Sequence, residues 1–414
     1  MMKRILSLAL LLVTVSLLLV GCGKTDLEKS KDYIENNKLV NNNPKLTLSF
    51  CLVTEQKLDV AALSTMENLL NEKLEISYNT HLDFINLTSA EYESYLYSKL
   101  QAVEDAREDD DGEGSDTLLG NEFPEVKDTQ FDILLVTSFE MLTDLIDDGR
   151  LYELTNFMAS TKYRNLKNYV TASFLEAAKL GEDERTFAIP NCTLLGEYTY
   201  MVVNKAAAAK FGYFLASDLT NWESTESLRA QIQAAGDYTF SADPYDVNAP
   251  VRLVKGNYEM RDSFGADNYW YVESDPTANR SEIFNSMLAI SAYTVNADRA
   301  MQIVYALNSD PELRTMLRYG VKNTTYELKD GVVTIKTGAD YTYDANDYYT
   351  GNIFALYPCS DRGQTAALMA GWKVQNDALT FVDNLPSYTP PAPVEPSTPP
   401  ATTTAPTTTP PAAE

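Results

Sequence analysis

A single histidine, His81, limits the chemistry this chain can run. Ser-His-Asp and Cys-His catalysis would each have to use that one imidazole, and it falls in a segment that reads as a strand. The chain holds no P-loop, no HExxH and no GxGxxG. Carboxylates are abundant, 59 Asp and Glu against 33 Lys and Arg, and none is set apart by context as a glycosidase pair. Asp109, Asp111, Glu113 and Gly114 match the opening of a calcium loop, but Gly120 stands where the bidentate Glu belongs. No metal, no cofactor and no enzymatic activity are therefore expected. Aromatic surface is plentiful instead, with 26 Tyr, 15 Phe and 3 Trp. Rings combined with carboxylates and amides suit a ligand that offers apolar C–H faces and many hydroxyls, as a sugar does. Most aromatics pack in cores because each buries so much area, so candidates are sought at strand ends and on polar loops. These are Thr54 and Glu55 after the first strand, Ser138 and Phe139 after a later one, Tyr198, Trp270 in Asn268-Tyr269-Trp270-Tyr271, Tyr349 and Asn352 in a Tyr/Asp/Asn-rich loop, and Trp372 after Gly371.

One further reactive group lies near the N-terminus. Lys3 and Arg4 precede an apolar run from Ile5 to Val20 broken only by Ser7, Thr14 and Ser16, and Leu19-Val20-Gly21-Cys22 follows. A basic start, an apolar stretch and small residues before a cut site describe a secretory signal. A cysteine directly after Leu-Val-Gly resembles the bacterial lipobox, where that cysteine takes a lipid and becomes the new N-terminus. The run is short for a membrane span, which needs about 20 residues. Residues 1–22 are thus expected to be a lipoprotein signal, with Cys22 the lipidation site. The mature chain would be held by acyl chains such as palmitate to the outer face of the cell membrane. Cys51, Cys192 and Cys359 then remain, with no CxxC spacing among them. They read as small apolar core residues, and one disulfide stays open in an oxidising exterior.

The elements that must position these groups follow from pattern. A net charge of -26 repels nucleic acid and anionic head groups. Residues 23–43 are polar and read as a tether. Lys45 to Val53 reads as a first buried strand, Leu58 to Leu74 as a helix, Leu74 to Phe84 as a second strand, and Ser89 to Val103 as a helix. Glu104 to Asp128 is acidic and Gly-containing and reads as a solvated, disordered loop. Phe131 to Val136 reads as a strand and Phe139 to Leu151 as a helix. Phe187 to Pro190 and Tyr198 to Val203 read as strands. Ala206 to Phe211, Asn221 to Ala235, Asn296 to Leu307 and Pro311 to Arg318 read as helices, and Tyr326 to Gly338 as a hairpin around Asp330-Gly331. Strands alternating with helices imply βαβ units and a largely parallel sheet. Residues 386–414 are rich in Pro, Thr and Ala and read as an extended tail that buries nothing.

Within this frame, Gly149, Leu151 and Leu154, then Phe187-Ala188-Ile189-Pro190, then Asn204-Lys205 leading to Gly212-Tyr213 occur in an order with a known counterpart. So does the later block from Asn285 to Gly320. Together they resemble the extracellular solute-binding proteins of ABC transporters, the sugar-binding family 1-like lipoproteins, over roughly residues 45 to 380. The acidic insert and the shortened C-terminal helices depart from that pattern. The resemblance implies an α/β, two-lobed periplasmic-binding-protein-like fold over residues 44–385, with interleaved lobes joined by crossing hinge strands and Tyr198 near a crossing. It implies a monomer that closes over a small-molecule solute, a sugar or oligosaccharide, and delivers it to an ABC permease, with no nucleic-acid partner. A surface adhesin or sensor subunit reusing the fold, with the tail as a stalk, is the alternative.

Overall fold

The structure, a computed structural model, describes residues 43–109, 123–214, 216–238, 241–336, 343, 345 and 351–392. Cys22, the 23–42 part of the tether, Tyr349 and residues 393–414 of the Pro/Thr tail lie outside them. The expectation that the tail buries nothing from 386 is corrected, since Tyr388 packs against Phe139 with its hydroxyl donating to Asp147, and Pro390 is buried.

Two sheets organise the chain. β1 (Leu46–Thr54) is buried along all but its first residue, as befits a strand covered on both faces. α1 (Val60–Tyr78) starts where the Asp59 carboxylate accepts the Ala61 and Ala62 N–H groups and stops at Asn79, which adopts a left-handed φ of 50°. β2 (Thr80–Thr88) runs parallel to β1, and α2 (Ser89–Glu108) opens on a capping box of Thr88 and Glu91. β3 (Ile133–Val136) leads into α3 (Phe139–Asp147), then α4 (Thr155–Ala159), α5 (Ala172–Ala177) and β4 (Ala188–Pro190). The chain then leaves for the second sheet: β5 (Glu197–Asn204), α6 (Lys205–Lys210), α7 (Glu226–Ala235), β6 (Val251–Gly256), α8 (Met260–Ser263) and β7 (Asn268–Asn279). It returns through β8 (Met287–Ile290), α9 (Ala297–Ser309) and α10 (Pro311–Tyr319). A hairpin of β9 (Tyr326–Lys329) and β10 (Val332–Ile335) follows, then α11 (Ala366–Asp377) and β11 (Thr380–Val382).

The first sheet has the order β2-β1-β3-β8-β4 and the second β11-β7-β5-β6. The molecule is thus α/β with two lobes, each built on one sheet. The expectation of a largely parallel sheet is corrected. β8 runs antiparallel to both β3 and β4, because it enters directly from β7 at the edge where β3 and β4 end. β5 is antiparallel to both β6 and β7. Several boundaries also move: the helix expected over Phe139 to Leu151 ends at Asp147, and the one expected from Asn221 begins at Glu226. α1 runs on to Tyr78, so β2 begins at Thr80 rather than Leu74. The stretch expected to be a loop from Glu104 starts inside α2, where Arg107 Nε donates to the Thr129 carbonyl at 2.7 Å and Arg150 Nε to Glu104 Oε1 at 2.9 Å. Residues 110–122 of that stretch lie outside the described residues. β7 and α11 were not legible as elements. The twelve residues of β7 are mostly exposed or half-buried and include Pro276, so no clean period of two survives. Cys51, Cys192 and Cys359 are all buried and free. Among the described residues no helix is long and apolar enough to cross a membrane.

Candidate functional site

The chain passes between the sheets at residues 191–196 and again at 280–286, and β11 pairs with the last three residues of β7 beside these crossings. The first crossing is tightly built. Gly196 has φ 67°, and a Cβ there would stand 2.8 Å from the Thr277 carbonyl oxygen and closer still to Leu379 Cδ1. Two fully buried amides on α11 hold this segment. Gln375 Nε2 donates to the Leu195 and Gly196 carbonyls at 3.1 and 2.8 Å. Asn376 accepts the Leu195 N–H at 3.3 Å and donates to the Thr193 carbonyl at 2.6 Å. The same helix reaches both lobes. The Ser173 hydroxyl donates to the Asn376 carbonyl at 3.2 Å, and the Tyr258 N–H donates to Gln375 Oε1 at 2.8 Å. Gly371 lets α11 approach so closely that any Cβ would overlap the Tyr258 ring.

Strand alternation gives the second sheet two unlike faces. Met201 and Val203 of β5 pack with Ala207, Leu228, Ile232 and Val251, flanked by Tyr269 and Tyr271 of β7. The intervening residues Tyr198, Tyr200 and Val202 point the other way and pack with Phe264, Val254, Tyr258 and Met260. Trp270 and Val272 share that second face, since Trp270 is opposite Val202 and Val272 opposite Tyr200. They are 37% and 39% exposed. Arg261, on α8, lies among the rings. Its guanidinium carbon is 4.3 Å from the Tyr258 centroid, 4.8 Å from Tyr198, 5.6 Å from Trp270 and 5.7 Å from Tyr200. Its Nε donates to the Tyr200 hydroxyl at 3.2 Å. The Trp270 ring meets Tyr200 edge-on at 6.0 Å. Burial raises the Tyr198 and Tyr200 hydroxyls above the ordinary tyrosine value, with Arg261 pulling the other way. Both therefore stay neutral hydrogen-bonding groups at physiological pH. The two tyrosines are buried beneath the face, and what it presents outward is Trp270 and Val272, which can stack on apolar C–H surface, with the Arg261 guanidinium beside them.

The sequence candidates distribute over three places. Tyr198 and Trp270 sit together on this face, and Trp270 lies within β7 rather than on a loop. Trp372, on α11, is adjacent to it, its indole N–H donating to Glu259. Thr54, Glu55, Ser138 and Phe139 follow β1 and β3 of the first lobe. Thr54 is buried, its hydroxyl donating to the Gln56 carbonyl at 2.7 Å, while Glu55 is exposed. The Ser138 hydroxyl caps α3 by accepting the Met141 N–H at 3.0 Å, and Phe139 packs edge-on against Phe284 at 5.1 Å. Asn352 is buried, its side chain accepting the Phe354 N–H and donating to the Tyr169 carbonyl. Arg261, Tyr258 and Tyr200 were missed. Tyr258 and Arg261 stand three apart, a helical-turn spacing that puts both on one side, and Tyr198-Thr199-Tyr200 has the strand period; both signals were readable. His81 is engaged with Glu75 at 2.7 Å and with Asn71 at 3.2 Å. Among the described residues no group of His, Cys, Asp or Glu is placed to hold a metal.

No family model matches the chain, and no curated protein matches it. Among solved structures it is similar to the N-glycan transport solute binding protein (NgtS) from Streptococcus pneumoniae, at 14% identity, with 81% of this chain and 83% of that chain covered and a TM-score of 0.49. It is also similar to an extracellular solute-binding protein family 1 from Alicyclobacillus acidocaldarius, at 12% identity, 85% and 89% coverage and a TM-score of 0.41. A third is the galacto-N-biose-/lacto-N-biose I-binding protein of the ABC transporter from Bifidobacterium longum, at 10% identity, 84% and 89% coverage and a TM-score of 0.33. The two-lobed α/β assignment rests on the two sheets themselves.

Proposed function

We propose that this chain is a receptor that binds a small solute, a carbohydrate, between its lobes and hands it unchanged to an ABC permease. In this reading it is an exported monomer, held at the outer face of the bacterial cell membrane by lipid on Cys22. The observation that carries the binding role is the second-lobe face where Trp270 and Val272 stay partly open beside the crossings, over buried Tyr198, Tyr200 and Val202. A sheet face with no binding role would be expected to be either covered by helices or polar. The segments after β1 and β3, with Glu55 and Ser138-Phe139, supply the opposing wall. Ligand held by both walls favours the closed arrangement by its extra contacts there.

The test is thermal shift and calorimetry against a panel of mono- and oligosaccharides. A ligand that binds only the folded chain raises its melting temperature. Trp270→Ala is expected to weaken any sugar found by roughly tenfold to several hundredfold, since a stacked anchor contributes a few kcal/mol at about 1.4 kcal/mol per decade. Wild-type affinity in that variant removes Trp270 from the site, and a panel with no binder removes the carbohydrate reading.

A further inference from the structure

Three arginines elsewhere in the molecule are met by carboxylates, whereas Arg107, Arg229 and Arg299 bond carbonyls and hydroxyls. Arg150 pairs with Glu104 at 2.9 Å, Arg185 with Glu153 at 2.7 Å and Arg280 with Asp383 at 3.3 Å. Arg261 is of the second kind. Its neighbours are four aromatic rings, and it hydrogen-bonds the neutral hydroxyls of Tyr200 and Tyr198. Among the described residues no carboxylate lies within ion-pair distance of it. The acid nearest in sequence, Glu259, accepts the Trp372 indole N–H instead. What distinguishes Arg261 is its place, 5.6 Å from the ring of Trp270, which is 37% exposed.

We propose that this site selects an anionic saccharide, with the Arg261 guanidinium taking the ligand's carboxylate or sulfate and the Trp270 face taking the apolar side of the sugar ring. This rests on the carbohydrate-receptor reading. The rings fix the guanidinium plane, so the side-chain ordering that a bidentate contact requires is already made. Its two Nη groups are the fork that a planar carboxylate matches.

The experiment compares three matched probes by calorimetry: a glucuronic acid–N-acetylglucosamine disaccharide, N-acetylglucosamine 6-sulfate, and neutral N-acetyllactosamine. The expected result is at least tenfold tighter binding of an anionic probe than of the neutral one, with the preference weakening as NaCl is raised. Preference for the uronate assigns a carboxylate, and preference for the sulfated sugar assigns a sulfate. Arg261→Met should erase the preference. Arg261→Lys keeps the charge but loses the fork, and should retain the preference with roughly tenfold weaker binding; it serves if the Met variant does not fold. Equal affinity for anionic and neutral probes overturns the proposal while leaving the carbohydrate reading intact. No binding by any saccharide overturns both.

Discussion

The two sheets are closed in different ways. In the first lobe β1 is buried on both sides, and Leu48, Phe50 and Leu52 are wholly enclosed in a core that runs through α1, α2, α3, α9 and α10. In the second lobe one face is sealed by α6 and α7, whereas on the other Tyr198, Tyr200 and Phe264 are buried and Trp270 and Val272 stay partly open. Aromatic area thus serves cohesion in both lobes, and the second leaves Trp270 partly open on a sheet face. Three arginines show a related contrast, although first-lobe Arg107 and Arg299 bond carbonyls and second-lobe Lys210 pairs with Asp237. First-lobe Arg150 and Arg185 are neutralised by Glu104 and Glu153, while second-lobe Arg261 is surrounded by rings. A lobe that presents a binding wall keeps some groups for a visitor.

The largest effect should come from the scaffold core. Phe50 is fully enclosed and meets Phe84 at 5.3 Å. Phe50→Ala should cost about 3–5 kcal/mol, read from the chemical-denaturation midpoint. A loss below ~1 kcal/mol would break the comparison, because the first lobe would then not be the cohesive one.

Next in size is the crossing. Gly196→Ala adds a Cβ against the Thr277 carbonyl at a φ of 67°. Left-handed strain and overpacking together should cost about 2–4 kcal/mol. Gly149→Ala is the control. It has φ 70° but nothing within 4 Å of the added carbon, so the backbone strain alone should cost about 1 kcal/mol. Equal losses in the two variants would mean that the crossing is free to shift around the new atom.

These positions also show how far the sequence could be read. The strand at Phe131 to Val136, the hairpin around Asp330-Gly331 and the helix begun by Asn296 are legible because each carries a local signal: an unbroken apolar run, two residues with positive φ, or a side chain that caps. The second lobe carries weaker signals. β7 exposes much of its length, so its apolar period fades. The direction of β8 depends on where β7 ends, which no local pattern encodes. At the site, Tyr198 and Trp270 were chosen for their composition, and their meeting on one face depends on the β5–β7 register. Arg261 was missed because its relation to Trp270 is tertiary. Asn352 attracted attention as a polar loop residue, and the structure spends its amide on Phe354 and Tyr169.

The scaffold's charge pairing predicts a pH dependence of smaller size. Hydrogen bonding from Arg185 holds the Glu153 carboxyl below its ordinary value of 4.5. Burial would raise Glu104, but the Tyr293 hydroxyl and Arg150 outweigh it and hold that group low as well. A depressed folded value means the stabilisation is fully present above about pH 4.5 and is lost as pH falls through the folded value. Stability should therefore be flat on this account from pH 7 to 5 and decline below about 4.5. Glu153→Gln should lose about 1 kcal/mol at neutral pH and show a shallower acid decline. An unchanged acid slope in that variant would remove this pair from the scaffold's electrostatics.

The smallest stability effect should fall on the binding wall, and it separates the two lobes most directly. Trp270 is 37% exposed and meets its neighbours at ring separations of 6.0 Å to Tyr200 and 6.2 Å to Phe264. Much of its area already faces water, so truncation forfeits little transfer free energy and leaves an open notch rather than a sealed cavity. Trp270→Ala should therefore cost about 1 kcal/mol or less, several times less than Phe50→Ala despite removing a larger side chain. Acrylamide should quench Trp270 fluorescence in the free protein, read as the difference between wild type and this variant, and a bound saccharide should protect it. A loss of about 3 kcal/mol or more would mean that the face is packed as tightly as the first-lobe core. The division between scaffold and wall would then fail at the residue chosen to represent the wall.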